Sequence, residues 1–485
     1  MKILCRILFV RLLMGLISQT WYVPDETWQS VEVSHDVVYG VGYRTWEWDE
    51  KIRSSLHPLL FSLPLLLLKL TGLDSQFMVV LLPKLMQGGI TGLSEYCLYR
   101  VIGQNERVGS WFLLITLFNW HTLYSGSRTL INSLEYSLTS LALALYITLT
   151  RQDSKPRRFK YPGELYLPVI ALCFMLRPTS ALIWIPLVIL HLKSSFRYRG
   201  LLSLVPWVLL SVLVVILCVS IDSIFYSQPT LVNFNFFYIN VYKNLGEIYG
   251  THPWHWYFSS ALPSLLGPLL LLLVPGFRHA PLYLLLPLGV NLVCLSLLPH
   301  KEIRFLQSSL PFLVIIISEQ LCGLSRARQR MIKIVFLFMN ILLTLYLSIV
   351  HQRGVVDAVI SIPHYKTEIG NKEMSVLFLM PCHSTPLYSH IHTNISTRFL
   401  HCEPNLTSSP GYMDEADRFY SDPELWLEQI NLNPDLVILF NNLQGQISEF
   451  LRSYKLCQTF FHSHLPEGRI GEHVLVFCKQ SSVQH

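Results

Sequence analysis

Two strings of residues in this chain carry the side chains of group-transfer chemistry. The first is Tyr22-Val23-Pro24-Asp25-Glu26-Thr27-Trp28-Gln29, where two adjacent carboxylates sit among the rings of Trp21, Tyr22 and Trp28. A carboxylate that loses part of its hydration gains basicity and can take the proton of a hydroxyl. The second is His300-Lys301-Glu302-Ile303-Arg304-Phe305, a cationic run directly before an apolar block. Cations at a membrane edge suit a phosphate carried on a lipid. Arg177-Pro178-Thr179 adds a further cation, and Tyr249-Gly250-Thr251-His252-Pro253-Trp254-His255-Trp256-Tyr257 adds rings and imidazoles. A base beside a neutralised phosphate describes transfer of a group from a lipid phosphate to an alcohol. Phosphate leaves readily once its charge is met, so one carboxylate base suffices for direct, inverting sugar transfer. The plainer readings are a helix cap for Asp25 after Pro24 and snorkelling for the cations. Snorkelling accounts for one or two isolated basic residues better than for the 300–305 string.

On this reading Asp25 is the base, with Glu26 as second choice. His300, Lys301, Arg304 and Arg177 meet the donor phosphate, and Glu302 orients them; Arg128, His252, His255 and Trp256 join Glu302 around the substrate. No CxxC or His/Cys spacing suggests a zinc site, and neither a metal nor a cofactor is expected.

The elements that hold these residues are set by composition. Of 485 residues, 51% are hydrophobic and 14% charged, against about 25% charged in a soluble domain. The net charge of +6 is modest, and the basic residues cluster in short loops, which reads as membrane topology and not nucleic-acid binding. The first apolar block, 3–20, carries Arg6 and Arg11 and has the length and charge of a signal peptide. No small-residue cleavage site precedes Trp21, so the block reads as a retained helix with a cytosolic N-terminus. The loop over 21–55 is too long for a turn and is expected to hold interfacial helices. Blocks follow at 56–72, 76–98, 109–124 and 129–150. Arg128, Asn132 and Glu135 are spaced for one helical face, turned toward protein or a water-filled cavity; bonding between helices is the plainer reading. Two short runs flank Arg177-Pro178 as a tilted or partly re-entrant pair, with the proline ending the first helix. Further spans are expected over 201–222, 259–274, 280–299, the block after Phe305, and 332–350.

The basic stretches 151–160, 193–199 and 325–333 should be cytosolic. Counting back from the last puts the acid pair, the 223–258 and 300–304 loops and the tail after His351 on the opposite side. There the sequons Asn394-Ile395-Ser396 and Asn405-Leu406-Thr407 are candidates for glycosylation. Four blocks separate the first loop from 151–160, where an odd number is needed, so at least one is re-entrant or interfacial. From 354 the pattern turns α/β, with strands over 374–380, 435–440 and 473–478 and a helix over 447–456. Cys382, Cys402, Cys457 and Cys478 lie here and can form two disulfides in an oxidising compartment, with the pairing open.

Together the motifs resemble glycosyltransferase family 22, the dolichyl-phosphate-mannose-dependent mannosyltransferases. They are Asp25-Glu26, Arg128-Thr129-x-x-Asn132-Ser133-x-Glu135, Arg177-Pro178-Thr179, the 249–257 string and His300-Lys301-Glu302-x-Arg304-Phe305. The resemblance implies a GT-C fold: a polytopic α-helical membrane domain over 1–353 and a small α/β domain over 354–485. Asp25 also matches the acid that GT-C enzymes use to deprotonate the acceptor. Residues 379–390, 398–404 and 414–423 resemble the branch of the family that builds GPI anchors. That branch implies transfer of the third, α1,2-linked mannose to the GPI precursor in the lumen of the endoplasmic reticulum. The N-glycan branch is the alternative within the family. A lipid or sugar transporter is the alternative outside it, but would place charges at mid-membrane in repeated halves.

Overall fold

The computed structural model describes residues 1–152, 163–198, 200–369, 374–406, 409 and 411–480. Most of the basic stretch at 151–160, together with Arg199 and Thr407 of the second sequon, lies outside them. The principal helices are α1 (Lys2–Ile17), α2 (Glu32–Tyr39), α3 (Leu56–Thr71), α4 (Gln76–Ile102), α5 (Glu106–Phe118), α6 (Trp120–Ser125), α7 (Ile131–Gln152), α8 (Tyr166–Leu176), α9 (Ala181–Tyr198), α10 (Val205–Phe225), α11 (Leu282–Leu297), α12 (Leu310–Cys322), α13 (Arg326–Ile349) and α14 (Gly354–Ile369). Among the described residues, six helical stretches are long and apolar enough to cross a membrane. The chain divides into two compact units. One takes Met1–Leu16, Glu47–Leu60 and Lys84–Thr344; the other takes Ile17–Trp46, Phe61–Pro83 and Leu345–His485.

The first unit is helical. Its core gathers Leu143 and Ile147 of α7, Tyr166, Trp184 and Leu187 of α8 and α9, Leu284 and Leu288 of α11, and Phe312 and Ile316 of α12. The stretch Ile303–Cys322 is 78% buried, whereas Leu202–Phe225 is 11% buried and turns its apolar side chains outward. The apolar block at 109–124 does not form one continuous helix. α5 covers 13 residues, about 20 Å at 1.5 Å per residue. It stops at Asn119, whose side chain then accepts from the backbone of His121 and Thr122 to start α6.

That break frees backbone carbonyls in an apolar setting, where each needs a partner. Arg11 of α1 supplies one: Nη2 donates to Thr116 O at 2.8 Å and Nη1 to Thr122 O at 2.7 Å. The same guanidinium grips Glu95 of α4, Nε to Oε2 at 2.9 Å, and the hydroxyl of Tyr136 donates to Glu95 Oε1 at 2.9 Å. Gly88 permits the close approach of α1 and α4, since a Cβ there would sit 3.0 Å from Arg11 O. Burial and pairing of Arg11 tie α1 into this unit.

The Arg177-Pro178 joint follows from local sterics. The residue before a proline avoids the helical region, and Arg177 is extended at φ −146° and ψ 103°. Thus α8 ends at Leu176, and Pro178 opens a short turn leading into α9. Arg128 departs from the expected helical face. It lies ahead of α7, fully buried, with its guanidinium 4.1 Å from the centre of the Tyr124 ring and Nε donating to Tyr124 O.

The second unit is α/β. Strands β1 (Ser375–Leu379), β2 (Ser396–Phe399), β3 (Leu436–Phe440), β4 (Tyr454–Phe461) and β5 (His473–Lys479) form one sheet in the order β2-β1-β3-β5-β4. The β2, β1 and β3 strands are parallel, while β5 runs antiparallel to both β3 and β4. One face of the sheet packs Val376, Phe378, Ile438 and Val476 against Val355, Val359 and Ile362 of α14 and against Trp21 and Trp28. The other packs Leu377, Val437, Leu439 and Phe477 against Phe419 and Trp426. Covering both faces explains the continuous apolar runs of β1 and β3. The helix expected over 447–456 is absent: two short 3-10 turns, Gln444–Ile447 and Phe450–Ser453, lead into β4. The cysteines pair as Cys382–Cys402 and Cys457–Cys478.

Replacing Arg11 with alanine leaves Glu95 buried beside open carbonyls, and breaking a buried pair this way typically costs about 3–5 kcal/mol. Arg11→Ala is expected to lower the thermal transition of the detergent-solubilised protein markedly, while Arg6→Ala leaves it near the parent value. Equal transitions for all three proteins would remove the Arg11–Glu95 pair from the account.

Candidate active site

The charged string after α11 folds into a compact cluster within the first unit. Glu302 is its centre. Arg304 donates to it twice, Nε to Oε2 at 2.7 Å and Nη2 to Oε1 at 2.6 Å, the paired geometry that a planar guanidinium favours. His300 Nε2 lies 3.1 Å from Oε1, and its Nδ1 lies 3.0 Å from Gly250 O. Burial works to raise the Glu302 carboxyl, but Arg304 and His300 outweigh it and hold it well below the usual carboxylate range. Burial likewise opposes charge on His300, yet its bonds to Glu302 and Gly250 raise its pKa. Glu302 thus holds both cations and, kept ionised by them, is unsuited to accept a proton.

Arg177 reaches the same place from the joint between α8 and α9. Its guanidinium lies 5.1 Å from the centre of the Phe305 ring, and that of Arg304 lies 5.7 Å from it. Arg177 Nε is 3.0 Å from Glu135 Oε2 of α7, and Asn132 Nδ2, one turn earlier on α7, donates to Arg304 O at 3.2 Å. The α7 motif thus fixes both arginines, through the side chain of one and the backbone of the other. Tyr249 and Phe305 pack against the His300 ring at 5.8 and 5.6 Å.

The expected site residues separate here. Arg177, His300, Glu302 and Arg304 come together. Lys301 differs from the expectation: its ammonium bonds to Leu298 O, to His252 O at 2.9 Å and to Pro299 O at 3.5 Å. An ammonium has three donors, and those of Lys301 tie the loop backbone. His252 stacks on Trp256 at 4.6 Å, and its N–H donates to Pro299 O at 3.0 Å, so the 249–257 string is fastened to the 298–301 turn. His255 is exposed, and its Nδ1 lies 3.1 Å from Ser259 Oγ in the same helical segment. Arg128 lies with Tyr124 as described above. Among the described residues, no group of three or more His, Cys, Asp and Glu side chains is placed to hold a metal ion.

Asp25 and Glu26 belong to the second unit. Pro24 O accepts from both Thr27 N and Trp28 N at 3.0 Å, which makes Pro24 the helix cap and Asp25 the first helical residue. The cap reading of Asp25 therefore does not fit. A wide π turn, Thr27–Val31, follows the acid pair before α2 begins, and such turns recur at functional sites. Glu26 is buried, whereas Asp25 is partly exposed. The loop is fastened to the sheet domain at several points. Trp28 Nε1 donates to Thr385 O at 2.9 Å. Glu32 accepts from Tyr388 N and Ser389 N, both at 3.0 Å. Burial pushes the Glu32 carboxyl up to about 7 against the pull of those bonds. His35 Nε2 lies 2.9 Å from His392 Nδ1. Sequence reasoning missed Glu32 and His35, because their partners lie more than 350 residues away.

The fold is that of the GT-C membrane glycosyltransferases. ArnT from Cupriavidus metallidurans bound to undecaprenyl phosphate matches with a TM-score of 0.65, over 99% of this chain and 98% of that one, at 11% identity. The same protein in the apo state matches at 0.61. Sequence narrows the class: residues 2–392 match the Alg9-like mannosyltransferase family, and the chain belongs to that family. It is 39% identical to GPI alpha-1,2-mannosyltransferase 3 of Danio rerio, over 99% of this chain and 90% of that one. The Homo sapiens protein of the same name is also 39% identical, over 96% and 85%. GPI mannosyltransferase 3 of Candida albicans is 33% identical, over 99% and 98%. The chain is a multi-pass membrane mannosyltransferase, which removes the transporter alternative.

Loss of one charged contact to a developing phosphate charge typically costs about a hundredfold in rate. Arg304→Ala, at matched expression in microsomes, is expected to lower mannose transfer by about that factor. Arg304→Lys should recover only part of it, since lysine cannot reproduce the two-pronged grip on Glu302. Unchanged turnover in Arg304→Ala would take this cluster out of the reaction.

Proposed function

We propose that this protein transfers mannose from dolichyl-phosphate-mannose to the GPI-anchor precursor, adding the third, α1,2-linked mannose in the lumen of the endoplasmic reticulum. The observation that carries the reading is the reach of the similarity. Relatives named GPI alpha-1,2-mannosyltransferase 3 and GPI mannosyltransferase 3 align over nearly the whole chain, including the part of the C-terminal domain beyond residue 392, where the family match ends.

In this reaction the acceptor hydroxyl oxygen attacks C1 of the mannose. The bond from C1 to the phosphate oxygen breaks, and dolichyl phosphate leaves with the bonding electrons. The hydroxyl proton passes to Asp25. Arg304 and Arg177 meet the charge that grows on the departing phosphate, and protonated His300 adds to it. Glu302 and Glu135 hold the two guanidinium groups in place. The reaction balances with no metal and no cofactor.

A luminal C-terminal domain is supported by its two disulfides, which persist in oxidising compartments. It is also supported by the exposure of Asn394. The side chain of Asn405 instead bonds in both directions to the backbone of Ser409, so Asn394 is the better acceptor of a glycan. Endoglycosidase treatment should shift the protein on a gel, and Asn394→Gln should abolish most of that shift. Protease digestion of the tail from the cytosolic side of sealed microsomes would overturn the orientation.

The base assignment is tested by charge removal without change of shape. Asparagine keeps the size and shape of aspartate but cannot take the proton. Asp25→Asn is expected to abolish transfer while expression stays normal, with Glu26→Gln retaining activity. The reverse pattern would move the base by one residue, and full activity in both variants would place it elsewhere.

A further inference from the structure

The loop bearing the acid pair is seated on the C-terminal domain at a distinctive place. The Cys382–Cys402 disulfide joins two chain positions that each carry a histidine alongside, His383 and His401. His383 holds a left-handed backbone, φ +54°, in a turn closed by the bond from Ser384 Oγ to Pro381 O. That conformation is uncommon for a residue with a side chain, and the neighbouring bridge and turn hold it there. The His383 ring meets Trp28 edge-on, with centroids 4.6 Å apart. Phe399 and Tyr43 close around the same indole at 5.3 and 5.7 Å, and Tyr43 Oη lies 3.1 Å from His401 Nδ1. Trp28 is three residues after Asp25 in the same first turn, and residues at that spacing share a helix face. The indole that contacts His383 thus belongs to the face that carries the acid.

We propose that His383 is a positioning residue for the base: it donates a ring N–H to the Asp25 carboxylate and turns the other oxygen toward the acceptor hydroxyl. This rests on Asp25 being the base. It also gives the C-terminal domain a task, to hold the catalytic loop through a disulfide-pinned histidine. Neutrality of the imidazole fits that task. Burial, then the neighbouring His401, push His383 down to about 4 against the opposing pull of Asp25. At neutral pH it therefore carries one N–H to give and does not compete for the proton. His401 is in turn bonded to Tyr43 and acted on by Arg398, Glu415 and Glu403, and Glu26 adjoins Asp25 in the chain.

Two substitutions in the full-length protein separate positioning from packing. His383→Phe keeps a ring against Trp28 and removes the N–H; His383→Gln keeps an N–H donor and removes the ring. Positioning predicts that His383→Phe lowers kcat for mannose transfer about tenfold or more, the scale of one hydrogen bond to a charged group, with the KM for dolichyl-phosphate-mannose within twofold of the parent. The acid limb of its kcat–pH profile should move to higher pH, because a carboxylate that loses a donor is more easily protonated. His383→Gln should keep most of the rate and the parent limb. Cys382→Ser with Cys402→Ser should reproduce the limb shift. A parent-like rate and limb in His383→Phe, or a larger loss in His383→Gln than in His383→Phe, would overturn the proposal. Asp25→Asn run alongside distinguishes the two failures. If it is active, the base reading itself falls; if it is inactive while His383→Phe is parent-like, only the positioning role falls.

Discussion

A guanidinium placed in an apolar setting needs partners to offset its lost hydration, and among the described residues of the helical unit three arginines that find a carboxylate organise much of the rest. Arg11 meets Glu95, Arg177 meets Glu135, and Arg304 meets Glu302. The first pair is fully buried and carries the break between α5 and α6. The other two are only partly closed off, with side-chain exposures of 14% and 7% for Arg177 and Glu135, and 8% and 25% for Arg304 and Glu302. A buried ion pair seldom adds stability over an apolar substitute, because desolvation consumes the Coulomb gain. Its worth lies in geometry: each pair fixes a charged group at one point where several helices meet. In the second and third pairs that fixed charge is the one the proposed reaction sets against the phosphate.

The same logic separates residues that hold the site from residues that face the reaction. Lys301 is one residue from Glu302, yet its ammonium is spent on carbonyls of its own loop and of His252. Arg128 carries the charge expected of a substrate contact, but lies fully buried on Tyr124. Charge in a motif reports that a position matters to the fold or to the reaction; only the partners tell which. Arg304 and His300 are organised by Glu302, and in the proposed reaction a cluster held this way needs little reorganisation as charge develops.

Much of this was legible in the sequence. The apolar blocks gave most of the helices of the membrane unit, the pre-proline position of Arg177 gave the joint, and the continuous apolar runs gave β1, β3 and β5. The two strands that escaped, β2 and β4, are the edges of the sheet, where exposure erases the apolar run on which a strand reading depends. The break at Asn119 was not visible, because Asn119 lies within an apolar run whose composition does not change across it. The attachment of the acid-pair loop to the sheet domain was not legible at all. Glu32, His35, Trp28 and Tyr43 find partners 356 to 358 positions along the chain, a distance at which local pattern carries no information.

The central claim is that this organisation delivers mannose from a lipid phosphate to a GPI precursor. It is tested most directly by supplying the purified protein with radiolabelled dolichyl-phosphate-mannose, a two-mannose GPI precursor and, in parallel, a lipid-linked oligosaccharide acceptor. The account predicts label in a three-mannose GPI species, released again by an α1,2-specific mannosidase, and no label in the oligosaccharide. Label in the oligosaccharide, or in a GPI product that resists the α1,2-specific enzyme, would contradict it.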